Sequence, residues 1–523
     1  MSTGVWIYGD QVDRQASSLQ NAPKDGPIVF VESLKFCQRR PYHWQKLVLI
    51  FSAMRHFAAE LRAAGRVVHY QKMTADFVTG LRDFVGKFKI DTLYVMEPND
   101  HDRTVAMPAI ARQIGCRIEV TPNTQFLADH DQFNDWAAGK KSLVMEAWYR
   151  RQRTRLSVLL QPDGSPLGGA WNLDKLNRVG AIPKNLPMPE PFSAEPDAIT
   201  RQVIDDVHQH FEGRCFGGAV TVAEMRERFR WPVTPEEARA ALELFLQQRL
   251  ANFGPFEDAM TVRSASLWHS LLSVPMNCGL LHPKTILDRT LEWALPRVAR
   301  NELPIQSLEG FVRQVIGWRE FMRGIYWREM TRVDAVPYPQ RNELNATRPL
   351  PDFYWTGDTD MNCVRDCVKP VIDRGHSHHI PRLMVLANFA LLHGISPQAV
   401  NDWFIYAYAD GYEWVTTPNV VGMALYADGG IVATKPYAAG GAYIHKMSDY
   451  CASCRYDPKK STGADACPFT RAYWPFLNRN RKRLERNPRV SLTIKGLDRF
   501  TSAELHQRGK ETDAWLDRQK VYE

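Results

Sequence analysis

No apolar run in the 523 residues approaches the roughly 18–20 needed to span a bilayer, which argues against a membrane helix. Met1 to Asp10 hold neither a basic n-region nor an apolar h-region, so a cytoplasmic protein without a secretory leader is expected. No G-x-G-x-x-G is present, so a dinucleotide-binding fingerprint is unsupported. The chain lacks internal repeats and low-complexity tracts, which argues against a solenoid or a biased tail. With 44% hydrophobic and 24% charged residues, extensive disorder is also disfavoured.

What is present is length, aromatics and a modest positive charge. At about 100–200 residues per domain, the chain has room for two to four domains. Its net charge of +8 permits a polyanionic partner and equally suits a slightly basic enzyme surface. Fifteen Trp and eighteen Tyr can stack on bases, line a cofactor pocket or carry electrons, although most such residues pack a core. Nine Cys without a leader do not read as a disulfide framework.

The first stretch alternates strand and helix. Val5–Tyr8, Ile28–Val31, Val67–Tyr70, Thr92–Met96 and Arg117–Val120 read as strands. Helical patterns run over Trp44–Ala64, Phe77–Phe88 and Met107–Ile114. This alternation predicts a parallel, Rossmann-like sheet with ligand sites at strand C-terminal ends, where Gly9-Asp10-Gln11 and Glu32 stand. A Pro/Gly-rich connector follows, and its run Arg150–Arg155 reads as a solvated helix face rather than a phosphate-facing one. Beyond Pro235 the pattern is helix after helix: Glu236–Leu250, Leu308–Met330, Arg382–Leu392 and Ala399–Tyr408. The expected division is an α/β domain over 1–132, a long linker over 133–225, an all-α domain over 226–478 and a basic helical extension over 479–523.

Cys451-Ala452-Ser453-Cys454 is a C-x2-C pair, and Cys467-Pro468 follows thirteen residues later. Such a group suits a metal centre needing a fourth ligand, which spacing assigns equally to Cys363 or Cys367. Ligand type admits zinc or [4Fe–4S]; the proline after the last cysteine leans toward the latter. His376, His378 and His379 crowd before Ile380-Pro381 and admit a helix start, a metal site or a surface cluster.

Several ordered motifs then match together. They are Leu267-Trp268-His269-Ser270-Leu271-Leu272-Ser273, Gly317-Trp318-Arg319-Glu320-Phe321, Asp410-Gly411-Tyr412-Glu413-Trp414, Lys435-Pro436-Tyr437 and Met447-Ser448-Asp449-Tyr450-Cys451. Over nearly its whole length the chain resembles the iron–sulfur bacterial cryptochromes and photolyases, also called prokaryotic (6-4) photolyases. The resemblance implies an all-α domain that binds folded-back FAD through His269, Ser270, Leu272, Ser273, Trp318, Arg319, Arg382, Asp410 and Asn419. It implies a [4Fe–4S] cluster on Cys363, Cys451, Cys454 and Cys467. It implies a 6,7-dimethyl-8-ribityllumazine antenna near Gly9, Asp10, Gln11 and Glu32, and an electron relay through Trp355 and Trp403. His378, His379 and Tyr437 match lesion-facing positions, where histidine can supply the proton that (6-4) repair requires. Phe404 and Thr416 depart from the family, which commonly carries Tyr and Glu there. The implied activity is light-driven repair of UV-damaged DNA; a monomer is the default expectation, and the cluster reads as structural because its ligands link segments far apart in sequence. The rivals are a photoreceptor of cryptochrome type and a flavin-free, zinc-stabilised nucleic-acid-binding protein.

Overall fold

The computed structural model describes residues 2–177, 179–180, 182–218 and 220–522. Five strands form one sheet: β1 (Thr3–Trp6), β2 (Ile28–Ser33), β3 (Val68–Thr74), β4 (Thr92–Met96) and β5 (Arg117–Thr121). Their order is β3-β2-β1-β4-β5, and every pairing is parallel. Strands buried on both faces need unbroken apolar runs, and Val5, Trp6, Val29 and Phe30 are fully enclosed. The strand order reverses between β1 and β4, which opens a crevice at their C-terminal ends.

Local chemistry sets the helix boundaries. Asp76 accepts a hydrogen bond from Thr79 N at 2.8 Å and starts helix Phe77–Phe88. Thr234 and Glu237 form a capping box, with Pro235 at the first turn of helix Pro235–Gln248. Helix Trp44–Ala63 lies against the sheet, and helix Ala198–Phe211 packs on it; Arg55 spans the pair, reaching Glu32 and, at 2.7 Å, Asp206.

The connector holds two helices, His130–Ala137 and Met145–Leu156, before a long irregular stretch. Its basic run is not a solvated face throughout. Arg153 is fully buried and donates to the carbonyls of Val158, Trp171 and Leu159, so it anchors the chain reversal that follows the helix. A guanidinium has five donors and can satisfy several carbonyls at once, which an amphipathic pattern does not reveal.

Beyond residue 235 the regular elements among the described residues are helices, in agreement with the sequence pattern, but three segments widen to π geometry: Arg313–Arg319, Pro381–Ala387 and Pro418–Ala424. Periodicity predicts plain helix there. Such bulges concentrate at functional sites because they re-aim side chains at small cost. No described helix is long and apolar enough to cross a membrane.

Candidate functional site

The π segments carry four of the residues expected to hold FAD: Trp318 and Arg319, Arg382, and Asn419. Arg382 donates from Nε to Ser377 O at 2.8 Å and from Nη2 to the Asp410 carboxylate at 3.0 Å. Ser273 Oγ donates to the same carboxylate at 2.7 Å, and Asn277 holds the Asp410 carbonyl at 3.2 Å. Burial alone would raise the Asp410 carboxyl, but Arg382, His376 and the two hydrogen bonds hold it below the usual carboxylate range. The Arg382 guanidinium also lies 4.1 Å over the Tyr408 ring.

His269 and Ser270 project from a loop flanked by two strained residues. Leu267 and Leu271 have φ of 45° and 57°, a left-handed conformation that bulky side chains rarely adopt. Arg249 stabilises the loop by donating to His269 O and Pro189 O, both at 2.7 Å. Leu272 is buried, and its N–H donates to Ser270 Oγ at 3.3 Å.

The His269 ring stacks on His378 at 4.2 Å, and His379 closes the group at 5.3 Å from His269 and 6.0 Å from His378. His379 is 46% exposed and lies 3.7 Å from Asp258, whereas His269 and His378 are buried. Burial, then the neighbouring imidazoles, pull both buried rings well below the ordinary histidine range. His269 Nε2 and His378 Nδ1 have no protein partner. Buried polar atoms are normally satisfied, so these two orphans fit a site that a hydrogen-bonding ligand completes.

Other expected residues stand apart from this group. Arg319 pairs with Glu320 at 3.0 Å and lies over Phe126 and Trp414. Trp318 is half-buried, edge-on to Phe321. Asn419 is half-buried and donates to Val415 O at 2.8 Å. Tyr437 is half-buried in a segment tied down by paired bonds between Ala439 and Asn388. Trp403 is fully buried and donates from Nε1 to Tyr354 O at 3.1 Å; Trp355, the next residue, is half-buried.

Cys363, Cys451, Cys454 and Cys467 line one small cavity. Cys363 comes from helix Asn362–Arg374, Cys451 and Cys454 from the turn at 450–454, and Cys467 from the residue before helix Pro468–Arg479. Cys367 does not line the cavity; its thiol meets Tyr450 instead. A Cβ on Gly441 would sit 2.7 Å from Cys467 Sγ, so a side chain there would crowd the thiol. Asn362 ties the C-x2-C turn to the helix through Ser453 Oγ at 3.2 Å. Three separate segments thus bring four thiols to one cavity, the ligand number that a closed metal centre needs.

A second, larger cavity opens at the ends of β1 and β2 against the helical region. Gly9 and Asp10 line it; a Cβ on Gly9 would come within 2.6 Å of Ile50 Cγ2. Arg103 bridges Asp10 at 2.8 Å and Asp100 at 2.8 Å, and lies over the Tyr8 ring. Two expected residues do not line this cavity. Gln11 donates to Glu97 O at 2.8 Å. Glu32 is occupied by Arg55 at 2.8 Å, Tyr70 at 2.6 Å and Met73 N at 3.2 Å. Sequence reasoning missed Arg103, Asp100 and Lys46. The signal was available: Asp100-His101-Asp102-Arg103 follows β4, on the other side of the switch point. Lys46 is buried, donates to Ile405 O at 3.1 Å and to Gly411 O, and so links this cavity to the Asp410 loop.

The buried histidines predict an acid limit on stability. Burial lowers His43 and His376 to about 4 and His393 to about 3. The unfolded chain binds these protons near the ordinary value, about 6.5. Between about pH 6.5 and pH 4 the unfolded state therefore holds more protons, and stability falls as pH drops through that window. Each histidine contributes a slope approaching about 1.4 kcal/mol per pH unit. Thermal unfolding followed from about pH 7 to pH 5 checks this; a flat midpoint would refute it.

Comparisons with known proteins agree with the geometry. The family described as "Deoxyribodipyrimidine photo-lyase-related protein" matches residues 5–219. A protein of Agrobacterium fabrum named "(6-4) photolyase" is 42% identical over 499 residues, covering 94% of each chain. An uncharacterized protein of Acanthamoeba polyphaga mimivirus is 42% identical over 66 residues, 13% of this chain and 54% of its own. The crystal structure of a bacterial class III photolyase from Agrobacterium tumefaciens superposes with a TM-score of 0.54 at 14% identity, covering 99% of this chain and 98% of that one, which shows the same fold. With 42% identity maintained over nearly the full length of both chains, the chain belongs to the prokaryotic (6-4) photolyase family of the photolyase/cryptochrome superfamily.

Proposed function

We propose that this chain repairs UV-damaged DNA in a light-driven reaction, and that its substrate is the (6-4) pyrimidine–pyrimidone photoproduct. The observation that carries this reading is the three-histidine group: two buried, neutral rings against one exposed ring, beside the Asp410–Arg382–Ser273 network. The name of the 42% identical relative supports it.

His269, Ser270, Leu272, Ser273, Trp318, Arg319, Arg382, Asp410 and Asn419 are the residues we assign to FAD. The chemistry FAD supplies when bound is one-electron donation from its light-excited reduced form. The chain's own task is proton handling. A (6-4) lesion has moved a hydroxyl between bases, so its reversal needs a proton at a departing oxygen. His379 reaches solvent and is suited to deliver it. His378 is neutral and can accept or relay a hydrogen bond behind it. The damaged base must leave the duplex, at a cost of roughly a few kcal/mol that is lower for a distorted site. The net charge of +8 suits binding to phosphates.

The cavity at the ends of β1 and β2 is the proposed site of the ribityllumazine antenna, with Asp10, Arg103 and Lys46 as its polar lining. The four-cysteine cavity is the proposed seat of a structural [4Fe–4S] cluster, and the four thiols that line it, together with the proline after Cys467, support that reading.

The test is direct. Reduced, FAD-loaded protein is illuminated with an oligonucleotide carrying one (6-4) photoproduct, and restored thymines are measured. Restoration only in the light is the expected result. Photoreduction without restoration would identify a photoreceptor instead.

A further inference from the structure

Trp355 is not bare at the protein surface. The ring of Tyr522 lies on it with centroids 4.3 Å apart and planes 6° from parallel. The segment bearing Tyr522 is anchored: Val521 bridges Pro351, Asp352 N donates to Lys520 O at 2.9 Å, and Arg348 pairs with Asp513 and Asp517. Tyr522 is 53% exposed, whereas Trp355 beneath it is half-buried. Inward, the Trp403 indole N–H donates to the carbonyl of Tyr354, whose carbon is bonded to the Trp355 nitrogen. The two indoles are thus joined through a single peptide group.

We propose that Tyr522 is the outermost electron donor of this protein, returning an electron to Trp355 after the relay has delivered one inward. The proposal rests on reading Trp355 and Trp403 as that relay.

The electron count closes as follows. Light-driven reduction of the flavin draws one electron from Trp403, and Trp355 refills it, becoming a radical cation. Tyr522 gives one electron to Trp355 and loses its phenolic proton to water, leaving a neutral tyrosyl radical. A thiol in solution then returns one hydrogen atom to Tyr522 and becomes a thiyl radical.

Tyrosine is a good donor only when its proton can leave with the electron. The exposed Tyr522 phenol meets that condition. Tyr406 also touches Trp355, but it is 7% exposed and burial pushes its phenol up, so it lacks a route for the proton. Phe404, next to Trp403, is too hard to oxidise to take part. Tyr522 therefore provides at the surface the tyrosine chemistry that position 404 lacks.

The test uses the full-length, FAD-loaded protein in its oxidised form, flashed with blue light without added thiol. Electron paramagnetic resonance is expected to record a tyrosyl radical in the native protein. Tyr522→Phe, which keeps the stacked ring, is expected to lose that signal and slow the accumulation of reduced flavin. Tyr522→Trp, which keeps a redox-active ring, is expected to restore part of that accumulation without a tyrosyl signal. A tyrosyl radical that persists in Tyr522→Phe, or none in the native protein, overturns the assignment. Trp355→Phe separates the two levels. If it blocks photoreduction while Tyr522→Phe leaves both the tyrosyl signal and the rate of flavin reduction unchanged, only the Tyr522 step fails. If it leaves photoreduction intact, the relay reading fails and this proposal with it.

Discussion

Replacing His379 with alanine is expected to lower the repair rate by about 10²–10⁴-fold, the usual contribution of a positioned general acid. Binding of damaged DNA and retention of FAD should change little, because His379 is 46% exposed and its ion-pair neighbour is Asp258 at the surface side of the group. The loss therefore belongs to the proton, not to the fold. His379→Asn keeps polarity without a titratable ring and should be as inactive as alanine. His378→Ala should also reduce repair, but with a second effect: His378 stacks on His269 at 4.2 Å, so its removal also loosens the loop assigned to FAD. The measurement is restored thymine per absorbed photon in single turnover. Unchanged yield in His379→Ala would sink the assignment of this ring as the donor.

Loss of any one of Cys363, Cys451, Cys454 or Cys467 is expected to abolish iron incorporation and to unfold the region they join. Metal ligation in small zinc domains is worth on the order of 10 kcal/mol. The net stability of a typical domain is about 5–15 kcal/mol. A closed centre linking helix Asn362–Arg374 to the segments at 450–467 acts on the same scale. Cys367→Ala is the control. Its thiol meets Tyr450 outside the cavity, so the iron content should be unchanged. Iron and acid-labile sulfide assays with thermal unfolding check both halves of the expectation. Zinc in place of iron would overturn the cluster assignment.

Most of the architecture was legible in local patterns. Apolar runs such as Ile28–Val31 need no partner information to read as buried strands, and the alternation with helices implies parallel pairing. Asp76 and Thr234 announce their helices because a cap acts within three residues. The three π segments were not legible. A one-residue bulge leaves the helical period almost intact, and the pressure that creates it comes from packing across the site. Arg153 was misjudged for a related reason: its partners are carbonyls, and carbonyls carry no sequence signal.

The candidate sites divide in the same way. Residue type and order along the chain pointed by themselves to a metal centre on the thiols, whereas the proton role of the adjacent imidazoles and the cofactor role of Asp410 and Arg382 rested on the family resemblance. Type and order were not enough to choose between Cys363 and Cys367, which share a helix and differ by about one turn. Nor could they tell that Glu32 turns to Arg55 while Asp10 meets Arg103 at the cavity. Such choices depend on where a side chain points and which distant segment it meets. Linear spacing limits local geometry, but the directions that bring residues 363 and 467, or 10 and 103, together exist only after long-range packing has closed the chain on itself.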